Sequence, residues 1–432
     1  LAVRAFQGGI HLPDSKAATR DLPITRARIP ESLTVPMSQH LGAPCLPVVE
    51  KGDRVRRGQM IGDVEAFVSA PVHSPVDGEV TGIVEVLAIS GNRVGAVRIV
   101  PDPEQDLGDY EWIASDEERN RIRAAGVVGL GGAAFPTAVK LTPPQDTPVE
   151  TVILNGCECE PYLTCDHRMM VEQPERVVAG GRAIAGIVGA RRLVIGLEDN
   201  KPDAAEALRA HAADDAELMV LPTRYPQGAE KQLIWAVLAK EVPHGKLPAA
   251  TGALVHNVST AVAVADALQH RRPLMERVVT VTGNVVRPGN YLTLLGTPVS
   301  SLIETAGGFV GEPRRVVAGG PMTGMALADL EVPVVKGTSG VLVLDPSDTA
   351  PAVLDDQPCI RCGRCSDACP MLLQPFAIGV YANRSDWDGS ERYHALDCIE
   401  CGCCAYVCPT RRPLVQLIRR AKHVLLERGS GK

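Results

Sequence analysis

The sequence predicts a multidomain chain, part α/β and part α+β, and three observations carry that prediction. Short Val/Ile runs, broken by glycine and aspartate turns, fill 46–100 and give a strand-rich texture. Helical and strand patterns then alternate from about 116 to 268, as an α/β domain requires. Two cysteine runs of one spacing lie near the end, at 359–369 and 398–408. With 432 residues the chain is too long for one ordinary core. The expected boundaries are 1–112, 113–272, 273–345 and 346–432. Charged residues make up 22% and hydrophobic residues 45%, a globular balance. The formal net charge of -7 argues against nucleic acid as a partner. No apolar stretch reaches the ~18 residues of a membrane span; the nearest, 177–197, is cut by Arg182, Arg191 and Arg192. No charged-then-apolar leader opens the chain, so none is expected.

Each element follows from local pattern. "LPVVEKGDRVRRGQMIGDV" and "APVHSPVDGEVTGIV" read as short strands with turns at Gly52-Asp53, Gly58, Gly62-Asp63 and Asp77-Gly78. "DEERNRIRAAGVV" carries acids in its first turn and glycine near its end, the marks of a helix. A Gly-rich loop, a short helix opened by Pro136 and a buried strand, "VETVILNG", come next. "RRLVIGL" is a second strand, and helices are expected around 230–240 and 260–268. From 276 the texture returns to β, "RVVTVTGNVVRPGNYLTL", followed by a helix, "PVSSLIETAGG". A Pro- and Asp-rich linker, "LDPSDTAPAVLDDQP", leads to the cysteines.

Thirteen cysteines, nine of them in the last quarter, suggest metal ligation in a reducing compartment rather than a disulfide framework. Cys359, Cys362, Cys365 and Cys369 are spaced C-x2-C-x2-C-x3-C-P, and Cys398, Cys401, Cys404 and Cys408 repeat it. Three thiolates two residues apart wrap three irons of one cubane; the fourth, before proline, reaches the other cluster. Cys359, Cys362, Cys365 and Cys408 are therefore expected to hold one [4Fe–4S] cluster, and Cys369, Cys398, Cys401 and Cys404 the second. Structural zinc is the alternative, but it favours separated C-x2-C pairs. Cys403, beside Cys404, is left over and reads as a small buried residue. The helix that follows places Leu414, Leu417, Ile418 and Leu425 on one face, either against the cluster domain or on a membrane surface.

Clusters that carry single electrons are usually loaded from a two-electron donor through a flavin, so the middle domain is expected to hold a nucleotide site. "GLGGAAFPTAVK" at 129–140 fits a loose Rossmann fingerprint, but a helix rather than a strand precedes it. Its glycines expose backbone N–H groups, and Pro136-Thr137 opens a helix whose start attracts phosphate, with Lys140 adding charge. The alternative is an ordinary Gly-rich turn. "NGCECEPYLTCDHR" at 155–168 follows a buried strand, where α/β sheets bind ligands. Glu158 and Glu160 can accept hydrogen bonds from ribose hydroxyls or a flavin N–H. Cys157, Cys159 and Cys165 have no standard cluster spacing.

"GLGGAAFPTAVK" followed by "NGCECEP" resembles the flavin- and NADH-binding subunit of respiratory complex I, and "YPQGAEKQL" and "HNVSTAVAVA" resemble its later flavin segments. With the opening "FQGGIHLPDSKAAT" and the paired cysteine runs, nearly the whole chain resembles the C-subunit family of the Rnf (Rsx) ion-translocating ferredoxin:NAD+ oxidoreductases. That resemblance implies a barrel-sandwich (lipoyl-like) β domain at 1–112, a Rossmann-like FMN/NADH domain at 113–272, a soluble-ligand-binding β-grasp domain at 273–345 and a two-cluster ferredoxin-like helical domain at 346–432. It implies FMN contacts from Gly129, Gly131, Gly132, Lys140, Asn155, Glu158, Gly228, Asn257 and Thr260, with Glu160 and Glu230 near NAD(H). Two positions depart from the complex I pattern: Cys157 stands in place of an aspartate, and Ala229 precedes a single acid, Glu230. The barrel's halves resemble a biotinyl/lipoyl carrier, but "EAFVSAPVH" has no lysine, so no attached group is expected. The implied function exchanges hydride between NADH and FMN and passes electrons through the clusters to the complex's other subunits, with ferredoxin reached through one of them. The implied location is the cytoplasmic face of the bacterial inner membrane, as a peripheral subunit. The alternatives are a soluble FMN/Fe–S corrinoid reductase, and an electron carrier or scaffold with a dead flavin pocket.

Overall fold

The computed structural model describes residues 5–144, 146–313, 315–345 and 358–430. The linker expected ahead of the cysteines runs over 344–358; Leu344 ends a strand, and 346–357 lie outside the described residues.

Two small antiparallel sheets build the first domain. One runs in the order Leu33–Pro36, Arg93–Pro101, Gly78–Leu87, Arg54–Val55; the other in the order Leu46–Pro47, Met60–Asp63, Val72–His73. Their facing sides bury Leu33, Val35, Ile61, Val72, Val80, Val97 and Ile99. Alternating Val and Ile positions supply one apolar face per strand, and that face seals the barrel.

The middle domain is a four-stranded parallel sheet in the order Ala216–Leu221, Arg192–Glu198, Thr151–Gly156, Ala253–Asn257. Both its faces are covered, as a parallel sheet requires. Val152, Leu154 and Ile195 point into the core shared with helices Pro174–Val188 and Val258–Gln269. Ile153, Val194 and Val255 point the other way, against Leu233, Ile234 and Val237 of helix Glu230–Leu238. The first two helices approach so closely that a Cβ on Gly180 would lie 1.8 Å from the Ala261 carbonyl oxygen. Only glycine permits that crossing.

A six-stranded mixed sheet follows, in the order Ile24–Arg26, Gly289–Leu294, Glu276–Gly283, Gly340–Leu344, Arg315–Ala318, Met325–Ala326. Helix Val299–Thr305 packs Leu302 and Ile303 on Val279, Val281, Val341 and Val343. Its edge strand comes from far away in sequence. Residues 24–26, placed by the sequence in the first domain, pair in parallel with residues 290–292.

The tail is helical, with segments Arg364–Asp367, Pro375–Asn383, Trp387–Arg392, Cys403–Tyr406 and Leu414–Ser430. The last helix buries Leu414, Ile418 and Leu425; Ile418 and Leu425 join Ile378, Ala382 and Ala395 in a small core. That apolar face packs on the cluster domain, the first of the two placements expected. Among the described residues, no helix is long and apolar enough to cross a membrane.

Candidate functional site

A cleft of about 520 Å³ opens at the carboxyl ends of strands Thr151–Gly156 and Ala253–Asn257, in the size range of small-molecule sites. Gly129, Gly131, Gly132, Lys140, Asn155, Glu160, Gly228, Glu230, Asn257 and Thr260 all line it. Glu158 lines the space that continues from it.

What each residue does there differs from its simplest reading. Thr260 Oγ1 accepts from the Leu130 N–H (2.8 Å) and so anchors the Gly-rich loop to a helix start. Asn257 caps that helix: its Oδ1 accepts from the backbone of Ser259 (2.8 Å) and Thr260 (3.3 Å), while its Nδ2 donates to Asp166 (2.7 Å). A Cβ on Gly131 would lie 2.5 Å from Asn257, so that glycine makes room for protein. A Cβ on Gly132 meets nothing within 4 Å and points into open space. Asn155 Nδ2 donates to the Gly228 carbonyl (2.8 Å), tying the strand end to the 225–230 loop. Lys140 Nζ and Glu230 Oε1 form an ion pair of 2.8 Å beside the cleft.

The two acids of "CECEP" are committed to protein partners. Glu158 accepts from the backbone N–H groups of Asp166 (2.7 Å) and His167 (3.2 Å), at the start of helix Cys165–Glu172. A carboxylate there satisfies orphan donors and the helix dipole. Glu160 accepts from the N–H of Met322 (3.1 Å) and of Thr323 (2.8 Å), and from the Thr323 hydroxyl. Burial pushes its carboxyl above the usual range despite those bonds. Cys157 Sγ faces the Gly196 carbonyl and Cys159 Sγ accepts from the Gly228 N–H, so each thiol has its own backbone partner.

Several residues at the site were missed from sequence. Lys16 is buried, and its Nζ donates to the carbonyls of Glu158 (2.8 Å), Glu160 (3.0 Å) and Leu163. It holds the acidic loop from a point 142 residues away in the chain. Lys201 does the same for the Cys157 carbonyl (2.6 Å). Asp166 accepts from Ser259 Oγ (2.6 Å) as well as from Asn257. Burial first, and the nearby Glu158 charge second, push its carboxyl up to about 6. Lys16 stood in the quoted opening segment and Asp166 in the quoted loop, but only the fold brings them to the site.

The cysteines converge on two cavities. Cys359, Cys362, Cys365 and Cys408 line one. Cys369, Cys398, Cys401 and Cys404 line the other, together with Cys403. Each cavity therefore gathers three cysteines of one run and the fourth of the other, the donor set a cubane needs. Cys403 is fully buried and packs with Tyr225 and Ala368. The second cavity adjoins the cleft, because Ile399 and Cys401 line both. Tyr225, another cleft residue, donates its hydroxyl to the Cys401 carbonyl (2.7 Å). Gln232 Nε2 donates to the Pro370 carbonyl (3.1 Å) from the same side. The cavity of Cys359 shares no lining residue with the cleft.

Known proteins match this arrangement segment by segment. Residues 4–104 match the RnfC barrel sandwich hybrid domain, 122–266 the Nuo51 FMN-binding domain, 278–326 the SLBB domain and 351–409 a 4Fe-4S dicluster domain. FMN and iron–sulfur clusters are therefore the cofactors of its middle domain and tail. The C subunit of the Na(+)-translocating ferredoxin:NAD(+) oxidoreductase complex of Acetobacterium woodii is 45% identical, over 98% of this chain and 97% of its own. The proton-translocating counterpart from Clostridium ljungdahlii is 42% identical, over 97% of this chain and 94% of its own. Among solved structures, an NAD+-reducing [NiFe]-hydrogenase in the H2-reduced state shares the fold, with a TM-score of 0.51 and 20% identity over 73% of this chain and 66% of that one. The chain belongs to the C-subunit family of ion-translocating ferredoxin:NAD+ oxidoreductase complexes.

Proposed function

We propose that this chain exchanges electrons with NAD(H) in a membrane ion-pumping ferredoxin:NAD+ oxidoreductase, docked on integral partner subunits at the cytoplasmic face. Ferredoxin is reached through one of those partners. The observation that carries this reading is the shared wall: Cys401 and Ile399 line both the cleft and a cysteine cavity. Bound FMN would supply the exchange between the two electrons of one hydride and single electrons, which the clusters would carry.

In this reading the chain's own residues position and exclude. The open side of Gly132 lets a ligand approach the loop backbone, and Lys140 offers positive charge to a phosphate while Glu230 balances it. Gly129, Gly131, Asn155, Glu158, Gly228, Asn257 and Thr260 shape the FMN site; Glu158, Asn257 and Thr260 do so largely by holding the loops that reach it. Glu160 and Glu230 stand on the side where the nicotinamide nucleotide enters. Cys369, Cys398, Cys401 and Cys404 hold the cluster beside the cleft, and Cys359, Cys362, Cys365 and Cys408 the one beyond it. The test is anaerobic purification of the chain from its native membrane. Bound flavin, two clusters bleached and reduced by NADH, and co-purifying integral subunits are expected. A chain without flavin, or one free of membrane subunits under mild detergent, contradicts the reading.

A further inference from the structure

Away from the cleft and the cysteine cavities, one group of ligand atoms spans two domains. His244 lies in the loop after helix Glu230–Leu238. His394 and Asp397 bound the turn Ala395–Asp397, which leads into Cys398. His244 Nδ1 is 2.6 Å from Asp397 Oδ2, and His394 Nδ1 is 3.9 Å from the same oxygen. Among the described residues, these three each place a ligand atom within 4.8 Å of the others. The two rings stand edge to face with centroids 5.7 Å apart. The histidine side chains are 69% and 64% exposed, whereas Asp397 is 19% exposed.

We propose that His244, His394 and Asp397 form a binding site for a zinc-class divalent cation that staples the middle domain to the start of the second cysteine run. A hydrogen bond between His244 and Asp397 needs only two of these residues. The third, His394, adds a second imidazole beside the same carboxylate oxygen. Two imidazoles and one carboxylate suit zinc, while calcium and magnesium prefer oxygen-only sites. Tetrahedral zinc with bonds of ~2.0–2.1 Å sets its ligand atoms roughly 3.3 Å apart. The observed 2.6 and 3.9 Å bracket that spacing, and both imidazoles are exposed, with room to turn toward a common ion. Solvent takes the fourth position. The Cys398 thiol one residue on lines a separate cavity, so the site does not borrow a cluster ligand.

The consequence is mechanical. His244 belongs to the domain that forms the cleft, and Asp397 immediately precedes a cysteine of the cavity beside it. A cation held by both restrains that cavity against the cleft. The reading is independent of which nucleotide the cleft takes.

The test uses the full chain with both clusters loaded, dialysed anaerobically against zinc buffered by a chelator, with zinc and iron counted together. Wild type is expected to bind a zinc ion that His244→Asn and His394→Asn bind at least ~10-fold more weakly, a loss that even an outer-shell partner can cause. Iron content stays equal in all three, because both histidines are exposed and touch no cluster cavity. Zinc is also expected to slow amide hydrogen exchange at 241–247 and 393–397 in wild type alone. Equal zinc binding by wild type and both variants at matched iron overturns the site. Zinc binding lost in the variants, but without slowed exchange in wild type, overturns the staple.

Discussion

Substitutions at Gly131 and Gly132 separate the loop's service to the fold from its service to a ligand. In Gly131→Ala the new Cβ would lie 2.5, 2.7 and 2.8 Å from Asn257 Nδ2, Cγ and Cβ. The Asn257 Cβ is fixed to backbone and cannot swing aside. Overpacking of this kind costs about 1–3 kcal/mol, and disturbing the cap that Asn257 provides adds about 1 kcal/mol. Gly131→Ala should therefore lose about 2–4 kcal/mol of stability in the middle domain. In Gly132→Val the Cβ meets no protein atom within 4 Å, so the flavin-free fold should change by about 0.5 kcal/mol or less. Its isopropyl group instead fills the space that a ligand needs beside the loop backbone. The assay is denaturant unfolding of the flavin-stripped chain, with flavin and iron counts on the protein as purified. Gly132→Val should unfold like wild type, carry both clusters, lack flavin, and show cluster reduction by dithionite but not by NADH. Stoichiometric flavin and normal NADH reduction in Gly132→Val would refute the placement of the ligand against this loop.

Other expectations follow from single contacts. Cys403→Ser should retain about eight irons, and Cys404→Ser should lose or degrade one cluster, because the C-x2-C-x2-C spacing selects Cys404; iron analysis and electron paramagnetic resonance decide, and the reverse result exchanges the two roles. Tyr225→Phe removes the hydroxyl that holds the Cys401 carbonyl, an interaction worth about 1 kcal/mol. It should slow NADH reduction of the clusters while leaving dithionite reduction unchanged, in stopped-flow traces. Asp166 holds its proton more tightly folded than unfolded, with its carboxyl raised from 3.8 to about 6. The stability it contributes is full below the unfolded value and is lost as pH rises through about 6, by up to about 3 kcal/mol. The stability of wild type relative to Asp166→Asn should fall between about pH 3.5 and about pH 6.5 and level off above that, and a flat difference contradicts that shift.

The fold was legible where pattern is dense. Continuous apolar runs in 151–156 and 192–198, turn glycines in the first domain and the cysteine spacing each name an element without reference to the rest of the chain. The strand Ile24–Arg26 was not legible, because three residues carry no period and their partner lies at 290–292. At the site, the residues read from sequence line one cleft and the space continuing from it, but their partners were not legible. Glu158 and Asn257 were chosen as ligand contacts, yet each spends its oxygens on a helix start. Lys16, a single lysine in an opening loop, gives no local sign that it caps three carbonyls around 158–163. That Cys408 lines a cavity with the first run and Cys369 with the second was legible because the fourth cysteine, before proline, does not easily close the cubane of its own run.

The proposed electron path runs from the cleft to the cavity of Cys369, Cys398, Cys401 and Cys404, then to that of Cys359, Cys362, Cys365 and Cys408. The most direct measurement is NADH-driven cluster reduction, followed by electron paramagnetic resonance, in two variants that each lack one cluster. Cys362→Ser, at an exposed ligand of the outer cavity, should leave the inner cluster reducible by NADH at the wild-type rate. Cys398→Ser, in the inner cavity, should leave the outer cluster oxidised under NADH yet reducible by dithionite. Rapid NADH reduction of the outer cluster in Cys398→Ser would contradict the account.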